Sequence, residues 1–351
     1  MGRGLTLRFL VLILLLSACT GRSGAQTATI SPTAILIPSP TTTPFPTKTL
    51  TPLPPTLTPL PVLTNTPLST STPSPTSTPS SGVPDFTHII VIVLENKEFG
   101  TVIGNPQMPN FNRWASQYTL LTQFYAIRHP SLPNYLAMVG GSTFNVTTNC
   151  ESCYRDAVNL ADLVENSGRT WKTYQEDMPK PCFVGSTLSY AQKHNPFIYF
   201  NDIRLNSERC KRSVVPLTLL TADLASNSLP DFAFITPNLC HSAHDCDLNE
   251  ADMWLGEWVS YLMAYPGFKE GGLIVLTWDE GQGDHTCCGL TTGGGRVATV
   301  LISPLAKTGF QDDTPYTLYS LLKTISAAWG LPYIGHAADA ENSLIVAPWQ
   351  K

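Results

Sequence analysis

The sequence predicts an α/β domain with a mainly parallel central sheet flanked by helices. Three observations carry this. Unbroken apolar, β-branched runs of strand length recur through the second part of the chain, as expected of strands buried on both faces. Helical patterns separate several of them, and alternation of the two is the signature of a parallel sheet. Each run also ends abruptly in polar residues, where the ligand sites of such sheets lie.

In chain order, the first strand is His88–Leu94 and the second Leu120–Ala126. A helical pattern over Asn159–Asn166 is stopped by Gly168, and a strand follows at Phe232–Thr236. Glu250–Ala264 reads as a helix, and Leu273–Trp278 and Val297–Ser303 as strands. A last helix, Pro315–Trp329, has Thr314 and Pro315 as cap and first turn, with Gly330 and Pro332 beyond it as stop signals.

Composition separates this domain from what precedes it. Of 351 residues only 13% are charged, the net charge is −5, and 30 are proline. A nucleic-acid binder is excluded, because its affinity rests on clustered Lys and Arg. Arg3 and Arg8 precede an apolar run, Phe9–Leu16, that ends in Leu-Ser-Ala-Cys19. This is a secretory signal, too short to span a bilayer. Its end matches a lipobox, with lipidated Cys19 as membrane anchor; an ordinary signal peptide containing a Cys is the alternative. The expected organisation is a lipoprotein signal over 1–19, a disordered Thr/Pro/Ser-rich stalk over 20–84, and one domain over 85–351. The stalk cannot bury enough apolar surface to offset its ordering entropy, and polyproline II geometry makes it a semi-rigid spacer.

The chemistry-bearing residues follow the strands. Glu95-Asn96 come after the first, Arg128-His129-Pro130-Ser131 after the second, His241 and His244 after Phe232–Thr236, and Asp279-Glu280 after Leu273–Trp278. Carboxylate and amide oxygens from neighbouring strand ends make a hard divalent cation site. Ser131 falls where a helix begins, with backbone N–H groups and the helix dipole favouring a bound anion. A hydroxyl beside a cation and an anion-favouring helix end suggest phosphoryl or sulfuryl transfer.

At these residues the chain resembles the bacterial phosphoesterase family of acid phosphatases and phospholipase C-type enzymes, in the alkaline-phosphatase superfamily. The stretches that carry the resemblance are His88–Asn96, His129–Tyr135 (His-Pro-Ser-Leu-Pro-Asn-Tyr), Tyr174–Pro179, Lys193–Phe197 and Ile235–Asp245 with Asp252–Leu255. Val275–Glu280 and Tyr319–Pro332 complete them, over about 86 to 335. The resemblance implies an alkaline-phosphatase-like fold and a divalent metal ion held by Glu95, Asn96, Ser131, Asp279 and Glu280. It implies Ser131 as nucleophile, passing through a phosphoserine. It places His194 and His244 in the phosphate pocket as catalytic cations, with His129, Asn134 and Asp245 as further substrate contacts. An acidic pH optimum follows. Small phosphate esters and phospholipids are the implied substrates, monoester and diester alike.

One position departs from the pattern. Many relatives carry a His where this chain has Leu318, and His285 is the candidate replacement. A noncatalytic lipid-anchored binding module is therefore the competing function. Sulfate esters are disfavoured, because Ser131 stands where sulfatases use cysteine or formylglycine. The cysteines suit an oxidising compartment. Cys240 with Cys246 and Cys182 with Cys210 are candidate disulfides, whereas Cys150, Cys153, Cys287 and Cys288 admit several pairings. A zinc site of His241, His244 and cysteines is the rival reading.

Overall fold

The structure is a computed structural model that describes residues 81–350. The signal segment, Cys19 and the stalk up to residue 80 lie outside the described residues. Packed chain begins before residue 85, since Val83 already lies against the core.

Nine strands form one sheet: β1 Ile89–Leu94, β2 Thr119–Tyr125, β3 Trp171–Gln175, β4 Val214–Pro216, β5 Phe232–Thr236, β6 Leu273–Trp278, β7 Arg296–Ile302, β8 Phe310–Asp312 and β9 Tyr316–Thr317. Their order is β4-β3-β5-β1-β6-β7-β2-β8, with β9 paired to β2. β1 lies between β5 and β6, parallel to both. Only β7 opposes its neighbours, running antiparallel to β6 and to β2. The sheet is therefore mainly parallel, as predicted. β1 (Ile-Ile-Val-Ile-Val-Leu), β5 and β6 are buried at every position, so no polar alternation marks an exposed face.

Helices pack in pairs, Pro109–Gln117 against Leu248–Ala264 and Ser131–Gly140 against Leu318–Ala328. The last helix starts later than predicted. Tyr316 and Thr317 stay extended and pair with Phe124 and Tyr125 of β2, which moves the cap from Thr314 to Thr317. There the Thr317 hydroxyl accepts from the Tyr319 and Ser320 N–H groups, and Ser320 Oγ accepts from the Thr317 N–H. This reciprocal capping box satisfies N–H groups that a helix start leaves orphaned.

Candidate active site

The site lies beyond the C-terminal ends of β1 and β6. Glu95, Asp279 and Glu280 are all buried there. Asn96 leaves the strand in the left-handed region (φ 58°), which Asn tolerates better than most residues. Its N–H donates to Asp279 Oδ1 at 3.1 Å, and the same oxygen accepts from the Glu280 N–H at 2.7 Å. Asp279 thus ties the two strand ends together.

Ser131 is the first residue of its helix and is buried. Its hydroxyl lies 3.0 Å from Glu95 Oε1 and 3.2 Å from Glu280 Oε1. Three segments far apart in sequence therefore meet at one oxygen. Two further groups converge on Glu95. Lys193 Nζ is 2.5 Å from its Oε1 and 3.4 Å from Ser131 Oγ. His194 Nε2 approaches its Oε2 at 2.5 Å, without the direction of a full hydrogen bond. The His194 ring stacks on Tyr135 with centroids 5.2 Å apart. His244 stands at the mouth, Nε2 3.7 Å from Glu95 Oε1 and Nδ1 2.6 Å from Asp245 Oδ1.

Charge balance orders these groups. Burial pushes the Asp279 carboxyl well above the usual range, and the charges of Glu95 and Glu280 add to the shift. Glu280 is raised as well, burial again being the main cause. At Glu95 burial acts in the same sense, but His194 and Lys193 outweigh it and hold the carboxyl low. Burial also lowers the His194 pKa. The expected cationic His194 meets a ring almost without solvent exposure, a setting that disfavours the charged form.

Three carboxylates around one lysine leave the cluster rich in negative charge. Asp279 Oδ2 is buried without a hydrogen-bond partner, and Glu95 Oε2 meets only the His194 ring; the first is costly unless something else pairs with it. The donors are hard oxygens, the set that suits a divalent cation. In donor chemistry the residues fit such an ion. Among the described residues no three His, Cys, Asp or Glu side chains stand at metal-coordinating spacing, and the Lys193 ammonium lies among the same oxygens.

The remaining predicted residues have different surroundings. His129 has both ring nitrogens against acceptors, Nδ1 2.6 Å from Glu280 Oε2 and Nε2 3.1 Å from the Gly283 carbonyl. Asn134, expected to face substrate, instead clamps backbone. Its Oδ1 accepts from the Ile127 and Arg128 N–H groups, and its Nδ2 donates to the Arg128 and Pro130 carbonyls. That exhausts its amide. His285 is mostly exposed and faces Glu98 Oε1 at 3.1 Å, not the Ser131 cluster. Leu318 is fully buried. Cys240–Cys246 and Cys182–Cys210 are disulfides as predicted, and Cys150–Cys153 and Cys287–Cys288 close locally. With Cys240 and Cys246 bonded to each other and His241 held 3.0 Å from Glu176, the zinc reading loses its ligands.

Sequence reasoning assigned no role to Lys193, Glu98 and Glu176. Lys193 lies in the Lys193–Phe197 stretch, directly before His194. Glu98 Oε2 accepts from the Gln282 and Gly283 N–H groups and Oε1 from Arg296, at 3.0–3.2 Å. A Cβ at Gly281 would come within 2.1 Å of Glu98 Oε2, so a side chain there would push that carboxylate from its place. Glu176, at the end of the unpredicted β3, accepts from Trp254 Nε1 and the Asn238 N–H. An opening of about 490 Å³, lined by Asn96, Lys97, His129, His244, Gln282 and Asp284, leads onto the cluster.

The phosphoesterase family matches residues 105–332. A protein named acid phosphatase from Aspergillus fumigatus is 35% identical over 272 residues, 74% of this chain and 58% of the relative. The phosphate-repressible acid phosphatase of Penicillium chrysogenum is 34% identical, covering 74% of this chain and 63% of its own length. The chain thus spans about three fifths of these fungal relatives. A phosphatidylinositol-3-phosphatase from Mycobacterium tuberculosis is 30% identical over 268 residues, 74% of this chain and 83% of that one. Among solved structures, an alkaline phosphatase superfamily protein from Vibrio parahaemolyticus aligns with a TM-score of 0.51 at 12% identity. It covers 74% of this chain and 71% of its own, a likeness of fold.

Proposed function

The chain belongs to the phosphoesterase family, and on that premise we propose that it hydrolyses phosphate esters in a metal-dependent reaction with Ser131 as nucleophile. The observation that carries this is the Ser131 hydroxyl at a helix start, within hydrogen-bond reach of both Glu95 and Glu280. Glu95, Asn96, Asp279, Glu280 and Ser131 are the residues that would hold a divalent cation, which supplies charge neutralisation at the phosphate and acidifies the serine hydroxyl.

Ser131 Oγ attacks phosphorus in line, and the Oγ–P bond forms as the bond from phosphorus to the leaving alcohol oxygen breaks. The hydroxyl proton passes to a carboxylate it already faces. Lys193 and the dipole of the helix that Ser131 opens stabilise charge on the nonbridging oxygens. His244 is the group to protonate the leaving oxygen, because Asp245 takes up Nδ1 and turns Nε2 toward the cluster. Water then hydrolyses the phosphoserine. Four disulfides among the described residues support an extracytoplasmic location, and lipidation of Cys19 belongs to the same reading.

Phosphate monoesters are the favoured substrates, in keeping with relatives named acid phosphatase and phosphatidylinositol-3-phosphatase. The test is phosphate release from p-nitrophenyl phosphate by the full chain, chelated and then resupplied with divalent cations. We expect activity only with cation, and a fall of roughly 10⁴-fold in Ser131→Ala. Equal turnover by chelated protein or by the variant overturns the proposal. Faster turnover of bis-p-nitrophenyl phosphate reassigns it to diesters.

A further inference from the structure

A second cavity, of about 390 Å³, lies beside the opening described above, within the size range of small-molecule sites. Arg128, Cys288, Leu290, Tyr319, Asp339 and Glu341 are among its lining residues. The reaction proposed above uses none of them, yet the cavity is built onto the same frame. Arg128 stands three positions before Ser131, so their Cα atoms are at most about 11 Å apart. Asn134 clamps the backbone of Ile127 and Arg128 to the first turn of the Ser131 helix. The opposite wall, Cys288–Thr292, belongs to the segment that leaves Glu280 and returns to β7. Thr292 Oγ1 donates to the Ile127 carbonyl at 3.0 Å. Alcohol attached to a phosphate at Ser131 has this cavity within reach.

Its chemistry is selective. The terminal nitrogens of Arg128 and the carboxylate of Glu341 have no partner among the described residues. Asp339 Oδ2 pairs with His336 Nδ1 at 2.7 Å, and its Oδ1 makes no bond. Unpaired donors and acceptors thus face the same space. Between them lie apolar surfaces: Leu290, the Tyr319 ring tilted against His336 at 5.1 Å, and the compact ring closed by adjacent Cys287 and Cys288. Two carboxylates against one guanidinium disfavour an anionic occupant. A long alkyl chain would bury these charged groups without partners. A ring with hydroxyls around its edge and an apolar face satisfies both sets.

We propose that this cavity receives the alcohol part of the substrate and that this part is a neutral, hydroxyl-rich ring, a sugar or cyclitol. The assignment rests on the phosphate-ester reading of Ser131. The experiment compares kcat/KM for glucose 6-phosphate with that for phenyl phosphate in the full chain, in Glu341→Ala and in Asp339→Asn. Free glucose binding is followed in parallel by saturation-transfer NMR. We expect the glucose 6-phosphate to phenyl phosphate ratio to fall by roughly five-fold or more in each variant, and the glucose signal to weaken with it. An unchanged ratio in both variants overturns the proposal while leaving the phosphatase reading intact. If neither ester is hydrolysed, the chemistry at Ser131 fails, and the NMR signal and its loss in Glu341→Ala still decide whether the cavity holds such a ring.

Discussion

The two loops that border the active-site cluster are held in opposite ways. The segment after β5, residues 237–246, is stapled by Cys240–Cys246 and tied to the end of β1 by the Glu95 N–H on the Ser242 carbonyl and by Lys97 Nζ on the Ala243 carbonyl, at 2.9 and 2.7 Å. The segment between β6 and β7, residues 279–295, has a disulfide between adjacent residues, which links it to nothing else. Its densest tie is one carboxylate, Glu98, gathering the N–H groups of Gln282, Gly283 and Arg296, beside single contacts of Thr292 Oγ1 with the Ile127 carbonyl and of the Gly283 carbonyl with His129 Nε2. The difference shows in the histidines. His244 on the first loop is aimed by Asp245 toward Glu95, whereas His285 on the second is mostly exposed. Covalent closure combined with backbone ties positions a side chain; a vicinal bridge stiffens its own ring without fixing where that ring sits.

The largest expected effect comes from removing Glu98. Glu98→Ala leaves three backbone N–H groups and His285 without their acceptor, with a stability loss of about 3 kcal/mol by denaturant melts and a fall in activity. Unchanged stability would show that other contacts hold the second loop. The two disulfides come next. Opening Cys240–Cys246 with a double Ser substitution should cost about 2 kcal/mol by the loop-entropy relation, and replacing Cys287 and Cys288 much less. Equal losses in calorimetry would erase the contrast. The smallest effect is local. Glu176 raises the His241 pKa above 6.5, the hydrogen bond being the main cause. Its stabilisation is therefore complete below about pH 6.5 and fades as pH rises through the raised folded value. In Glu176→Gln, NMR titration should find His241 returned toward its ordinary value; an unmoved midpoint removes Glu176 as the cause.

Much of this arrangement was legible in the sequence, for identifiable reasons. β1, β5 and β6 announce themselves because burial on both faces demands continuous apolar side chains, and the polar residues after them mark the rim. β3, Trp-Lys-Thr-Tyr-Gln, was missed because it mixes polar and aromatic residues over five positions, and β8 and β9 because they are shorter still. With β3 unseen, Glu176 at its end carried no signal. Local patterns also could not tell that Asn134 is exhausted on its own turn or that Glu98 reaches the far loop, since both depend on the backbone returning nearly 200 positions later or folding back at once. Lys193 was visible as a residue, but its pairing with Glu95 is a tertiary fact.

The most direct measurement is acid quenching of the cation-supplied full chain during turnover of p-nitrophenyl phosphate, followed by peptide mass spectrometry. Phosphate carried covalently on Ser131, and absent from Ser131→Ala, is the expected result. Steady phosphate release with Ser131 never modified, or with the label on another side chain, would contradict the convergence of Glu95 and Glu280 on a nucleophilic hydroxyl.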